Sequence, residues 1–355
     1  MRHPDVSLFH EGGTEATNQY GPPRATGLSL GTNLALQLAR IQAATEAWPL
    51  ASVRSRSGRS DVQTEADQYA NRQLQLYDKL SAMIFDSHCH AWERWPYPGV
   101  DHASAIGSVD ALLRQMDSEQ VHRALVVCAA IGPNPENNLY ASNASRNHGD
   151  RLDIAVDIDS EWQASYHKPG SAARLRAEAE RVDAVGFTHY LARGNDGWLR
   201  TDDAFELFAT AEELKLVASI SAGPEWLIDL RELARRTPNV PVLLHHMGFP
   251  ATEPELLEVL ACATVPTIGV KVSGFNYMSD LDWDFPYRET HELFWRILAA
   301  FGLERLYWGS DFPVSRASLT YRQSIEIVRT VLAGSDARLS SAILGDNLGR
   351  LLRRS

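Results

Sequence analysis

The sequence predicts an α/β fold in which eight strand–helix units close into a (β/α)8, or TIM, barrel behind a poorly structured N-terminal extension. Three observations carry this expectation. From Met83 onward, short apolar runs alternate with amphipathic stretches. Eight such runs fall within roughly 270 residues, the number and length of one barrel. Reactive side chains collect where the runs end, which is where barrel enzymes place their chemistry. An open doubly wound sheet is the competing arrangement, but no glycine-rich fingerprint follows any run.

Residues 1–82 differ in texture from the rest. Gly12-Gly13-Thr14, the stretch from Gly21 to Gly27 and the serine- and arginine-rich stretch from Ser52 to Ser60 are turn-rich and aperiodic. Two pieces have helical character, Leu34 to Trp48 and Ala66 to Met83. Met83 immediately precedes the first apolar run. Two readings therefore stand side by side: a native start at Met83, or a genuine regulatory extension. N-terminal sequencing of the native protein distinguishes them.

The apolar runs are Ile84–Asp86, Ala124–Cys128, Ile154–Val156, Val185–Thr188, Leu216–Ile220, Val242–His245, Ile268–Val272 and Leu306–Trp308. Helical spacing of apolar residues marks Val109–Glu119, Asp203–Leu214, Glu225–Arg236, Pro254–Ala263, Thr290–Phe301 and Tyr321–Leu332. Asp202-Asp203 and Glu253-Pro254 are helix starts, the latter with proline in the first turn.

The totals exclude several classes. A net charge of −11 argues against nucleic acid as a partner. No apolar run reaches the roughly 18–20 residues that span a bilayer. The N-terminus lacks the apolar core of a signal peptide. Cys89, Cys128 and Cys262 are too few and scattered for a disulfide framework or a cysteine-rich zinc site. A reduced, cytoplasmic protein is expected, with a small-molecule substrate as its partner and a homo-oligomer left open.

The chemistry gathers at four run ends. The first run ends in His88 and His90, two residues apart and so on one side of a strand. The fourth ends in His189-Tyr190, and the sixth in His245-His246-Met247-Gly248. The seventh contains Lys271-Val272-Ser273-Gly274, and the eighth ends in Trp308-Gly309-Ser310-Asp311-Phe312-Pro313. Together with the opening Phe-Asp-x-His-x-His-x-Trp and Tyr277, these strings resemble the amidohydrolase-related (amidohydrolase 2) superfamily of metal-dependent hydrolases. The likeness is nearest to its sugar-lactone and pyrone-dicarboxylate lactonase branch, and it runs from about Met83 to the C-terminus.

The resemblance implies that His88, His90 and Asp311 hold one divalent metal, zinc before manganese. Such an ion would bring the pKa of its water from about 15.7 to about 7. Asp311 is expected to take the proton of the attacking water, and His246 to polarise the scissile carbonyl. The family pattern places a histidine at the end of strand 5, where this chain has Ser221. Either His189 or His245 completes the ligand set, or the site works without metal as in the pyrone lactonase type.

If strand 6 persists to its end, His246 enters the barrel mouth and His245 faces away. Lys271 either points inward, pairing with Asp311 or holding a substrate carboxylate, or lies outward between helices. Arg193 and His189 are candidate substrate contacts after strand 4. Trp92 and Tyr277 suit a flat or apolar substrate face. Cys89 is expected in the core.

The expected activity is hydrolysis of an ester-like C–O bond in a small lactone or related carboxylated compound. The alternative chemistry is metal-assisted decarboxylation or hydration of an aromatic or dienoic acid. The alternative of another class is a barrel that only binds a metabolite, for which Ser221 is the one supporting feature.

Overall fold

The computed structural model describes residues 83–97, 106–281 and 283–353. The extension and the helices expected in it lie outside the described residues. Within them the chain alternates β1 (Ile84–Cys89), α1 (Val109–Ser118), β2 (Val121–Val127), α2 (Asn137–Asn147), β3 (Leu152–Asp157) and α3 (Ser171–Val182). It continues through β4 (Gly186–Tyr190), α4 (Asp202–Glu213), β5 (Val217–Ser221), α5 (Leu227–Arg236), β6 (Val242–Leu244) and α6 (Glu253–Ala261). It ends with β7 (Ile268–Val272), α7 (His291–Phe301), β8 (Leu306–Trp308), α8 (Tyr321–Val331), α9 (Ala337–Ser341) and α10 (Asn347–Leu352).

The strands pair in sequence order, β1 to β8, and every ladder is parallel. The barrel expectation is met. The seam between β8 and β1 is held by side chains of the two strands and by the residues that follow them. Asp311 N–H donates to His88 C=O (2.7 Å), and His90 N–H donates to Phe312 C=O (2.7 Å). The Ser87 hydroxyl donates to Tyr307 C=O (3.2 Å). The Asp86 carboxylate accepts from Ser310 N–H (2.9 Å) and from the Tyr321 hydroxyl (2.9 Å).

Strand alternation sorts the side chains between two cores. Ala218, Ile220, Val270 and Val272 face the helices and join the large outer core. Val217, Leu243 and Tyr307 point inward and meet Leu348 of α10, with Phe85, Leu351 and Leu352 packed against them. The C-terminal helix thus plugs the floor of the barrel with apolar groups, each contributing about 1.5–3 kcal/mol on full burial. Above this floor the interior turns polar. Ser219 and Lys271, one step further along β5 and β7, are fully buried.

Helices α2 and α3 went unpredicted. Helix α2 is rich in asparagine and serine (NNLYASNASRN), and α3 reads SAARLRAEAERV, so neither shows a dense apolar stripe. Where caps were expected they are present, though one residue earlier. The Thr201 hydroxyl accepts from Ala204 N–H, and Thr252 forms a capping box with Glu255.

Candidate active site

Asp311 is the hub of the barrel mouth. It sits in a left-handed turn (φ 53°) just beyond β8, and its backbone bond to His88 aims the carboxylate inward. Its Oδ1 lies 3.4 Å from His88 Nε2, 3.4 Å from His90 Nε2 and 3.9 Å from His246 Nε2. Its Oδ2 accepts a hydrogen bond from the Tyr277 hydroxyl. All four residues bearing carboxylate or imidazole are buried. Burial alone would raise the Asp311 pKa. The facing imidazole of His246, with those of His88 and His90 beside the carboxylate, overrides that and holds the carboxyl well below its ordinary value.

The three imidazoles are fixed from behind. His90 Nδ1 lies 2.7 Å from Val127 C=O, so it carries the proton there and presents a lone pair at Nε2. The ring stacks on Trp92 at 5.0 Å, and Trp92 is itself pinned by Nε1–H to Ala129 C=O (2.8 Å). His246 Nδ1 meets the Ser273 hydroxyl at 2.9 Å. His88 Nδ1 meets Lys271 Nζ at 3.0 Å. Gly309 makes room for this arrangement, since a Cβ there would lie 2.6 Å from His88 Cβ.

The expectation that His245 and His246 face opposite ways is corrected. Strand β6 stops at Leu244, and His246 (φ 45°) and Met247 (φ 54°) adopt left-handed conformations. The alternation rule lapses there, and both imidazoles turn inward. The His245 ring centroid is 4.4 Å from that of His88, and its Nε2 lies 2.7 Å from the Ser219 hydroxyl.

Lys271 points inward but does not pair with Asp311. Its ammonium donates to Ser219 Oγ at 2.6 Å and faces His88 Nδ1. Burial pulls its pKa down to about 7, against the carboxylates of Asp86 and Asp311, which hold it up. With no exposed surface, it is not positioned to grip a substrate directly.

The structure does not bring His189 into this group. Its Nδ1 bonds Ile158 C=O at 2.8 Å, and its ring stacks on Trp198 (4.9 Å) and against His167 (5.6 Å). Burial lowers its pKa to about 4. Arg193 is exposed on the loop after β4. Ser221 ends β5, half-buried, two residues beyond Ser219 on the same side of the strand. Trp92 backs His90 instead of standing at the rim, whereas Tyr277 reaches the Asp311 carboxylate directly. Cys89 lies in the outer core as expected.

Three contributors escaped sequence reading. Ser219 is a small polar residue in an apolar run, which carries no pattern. Asp86 shares the first motif with His88 and His90, but a register irregularity between Asp86 and Cys89 sends it toward the seam. Burial pushes its carboxyl up to about 6. The Tyr190 hydroxyl is buried without a hydrogen-bond partner among the described residues, its ring 5.2 Å from His245.

The donor set fits a divalent cation. The ligating atoms of His88, His90 and Asp311 lie within 4.8 Å of one another, as do those of His88, His245 and His246. Two donors at 2.0–2.1 Å from a tetrahedral ion stand about 3.3–3.4 Å apart. The observed 3.4 Å separations match that spacing and are long for direct hydrogen bonds. Among the described residues, no helix is long and apolar enough to cross a membrane.

A curated relative, the uncharacterized protein y4mH of Sinorhizobium fredii, is 26% identical over 314 residues, covering 76% of this chain and 98% of its own length. A Burkholderia multivorans amidohydrolase crystallised with bound zinc superposes with TM-score 0.63 at 21% identity, covering 77% of this chain and 99% of that one. A probable 2-pyrone-4,6-dicarboxylic acid hydrolase from Acinetobacter baumannii, with citric acid bound, gives TM-score 0.62 at 21% identity over 76% and 99%. The 2,6-dihydroxybenzoate decarboxylase of Rhizobium gives 0.53 at 12% over 77% and 99%. The Amidohydrolase (Amidohydro_2) family model matches residues 85–354, most of the chain and all eight strands but for one residue, so this protein belongs to the amidohydrolase family.

Proposed function

We propose that the protein is a hydrolase that opens a small lactone, or a related ester-like carboxylated compound, with an activated water. The observation that carries this reading is the Asp311 carboxylate, held ionised and ringed by three imidazoles at 3.4–3.9 Å. Water seated beside Oδ1 gives its proton to Asp311 and attacks the acyl carbon. Collapse of the adduct breaks the ring C–O bond, and Asp311 returns the proton to the departing alkoxide. His246, set by Ser273, faces the developing oxyanion. Tyr277 holds the second carboxylate oxygen and so fixes the plane of the base. When bound by His88, His90 and Asp311, a divalent cation, zinc before manganese, would supply Lewis-acid chemistry to the water and the carbonyl. The likeness to the pyrone-dicarboxylic acid hydrolase and to the zinc-containing amidohydrolase supports the substrate class and the ion.

The test is turnover against a panel of sugar-acid lactones and pyrone dicarboxylates, followed by acid release. Asp311→Asn is expected to lower kcat/KM by about 10²–10⁴-fold on every accepted substrate. Equal turnover by the variant removes Asp311 as the base. Release of CO₂ from hydroxybenzoates with every lactone untouched would instead favour a decarboxylase, the activity named for one structural neighbour. Binding of a carboxylate without turnover of either class would mark a binding barrel.

A further inference from the structure

Beneath the mouth a buried polar chain leads away from the Asp311 cluster: His88 Nδ1, Lys271 Nζ, Ser219 Oγ and His245 Nε2, spaced 3.0, 2.6 and 2.7 Å. All four residues are at most 1% exposed, so the chain is shut off from bulk solvent. A neutral imidazole has one donor and one acceptor nitrogen, and an ammonium has donors only. Lys271 donates to Ser219 Oγ, which is in turn hydrogen-bonded to His245 Nε2. Protonated and facing His88 Nδ1 at 3.0 Å, Lys271 makes that nitrogen the acceptor.

We propose that Lys271 is a positioning residue that sets the role of His88, placing its ring proton on Nε2 toward Asp311 and withholding that nitrogen from metal ligation. The proposal rests on the reading of the Asp311 cluster as the active site. Its consequence is an asymmetry between two rings equally distant from the same oxygen. His90, anchored by Nδ1 to Val127 C=O, offers a lone pair at Nε2. His88, anchored by Lys271, offers a proton. As the chain stands, His90 and Asp311 are ready ligands, while His88 turns an N–H, 3.4 Å from the carboxylate, toward an oxygen seated beside it. A divalent cation that recruits His88 must displace that proton and accept a buried ammonium behind the ring.

Two measurements on the full-length chain test this. Long-range ¹H–¹⁵N correlation spectra of metal-free, ¹⁵N-histidine-labelled protein, assigned with His88→Gln, are expected to show His88 as the Nε2–H tautomer and His90 as Nδ1–H. A His88 signal from the Nδ1–H form overturns the proposal. Zinc affinity of Lys271→Met, measured by competition with a chromophoric chelator, is expected to rise by about tenfold or more over the wild type. Unchanged or weaker affinity in the folded variant overturns it as well. Should Lys271→Met not fold, the wild-type spectrum alone decides. Neither readout uses a substrate, so failure here and failure of the hydrolase reading are separately visible.

Discussion

Asp157, at the end of β3, shows what one buried carboxylate does to stability. It accepts from the Ser160 hydroxyl, Ala130 N–H and Trp162 Nε1–H, yet burial still pushes its pKa up to about 6 from 3.8. The folded state therefore keeps a proton that the unfolded chain has released. Its stabilising contribution is complete below pH 3.8 and is lost as pH rises through 6. Asp157→Asn cannot titrate. In urea denaturation from about pH 4 to about pH 7, the advantage of wild type over this variant should shrink by about 2–3 kcal/mol. A constant gap across that range refutes the assignment. At this scale the sequence told much about identity and less about direction. His88, His90, His246 and Asp311 were legible because motif strings place them at strand ends. The inward turn of His245 was hidden, because it depends on β6 stopping at Leu244. The partner of Lys271 was hidden too, because Ser219 is fifty-two positions away and bears no pattern.

Elements place these side chains through close backbone approach. Where β8 ends, Gly309 lies against β1 so tightly that an added Cβ would meet His88 Cβ at 2.6 Å and His88 N at 3.2 Å. Gly309→Ala should push the Asp311 turn away from the first strand. Expected results are a loss of about 1–3 kcal/mol in stability and at least about a tenfold drop in kcat/KM. Crystal or solution data showing an unmoved His88–Asp311 pair with full activity would contradict this. The six helices with a dense apolar stripe or a cap were legible in order. Helices α2 and α3 were not, since their burial comes from a few positions, such as Ala141 and Ser142 in α2 and Leu175 in α3, among polar neighbours.

For the whole molecule, barrel closure and site assembly are one event. The bonds that tie β8 to β1 run through Asp86, His88, Ser310 and Asp311. Asp86→Ala would leave the buried donors of His88, Ser310 and Tyr321 without their acceptor, at about 1–3 kcal/mol for each unsatisfied group. Amide hydrogen exchange at Ser310 and Asp311 should then quicken by at least about tenfold, while the amides of β4 and β5 keep their protection. Unaltered exchange at the seam would show that the ladders alone hold it. The eight-unit barrel was legible from periodicity and count. The seam was not, because it is built from side chains and turns beyond the strands.

The seam also carries a kinetic consequence. Ser310 and Asp86 are 224 positions apart, and Tyr321 and Asp86 are 235. Closing a loop of that length costs about 5 kcal/mol of chain entropy before the contact rewards it. The ladders from β1 to β8 join only neighbours, so each can form with a far shorter loop. During refolding from denaturant, helical circular dichroism should return first and binding or turnover should follow in a slower phase. Simultaneous recovery of both signals would mean that closure is not the late step. In this protein the assay for activity would then double as a clock for the last contact made.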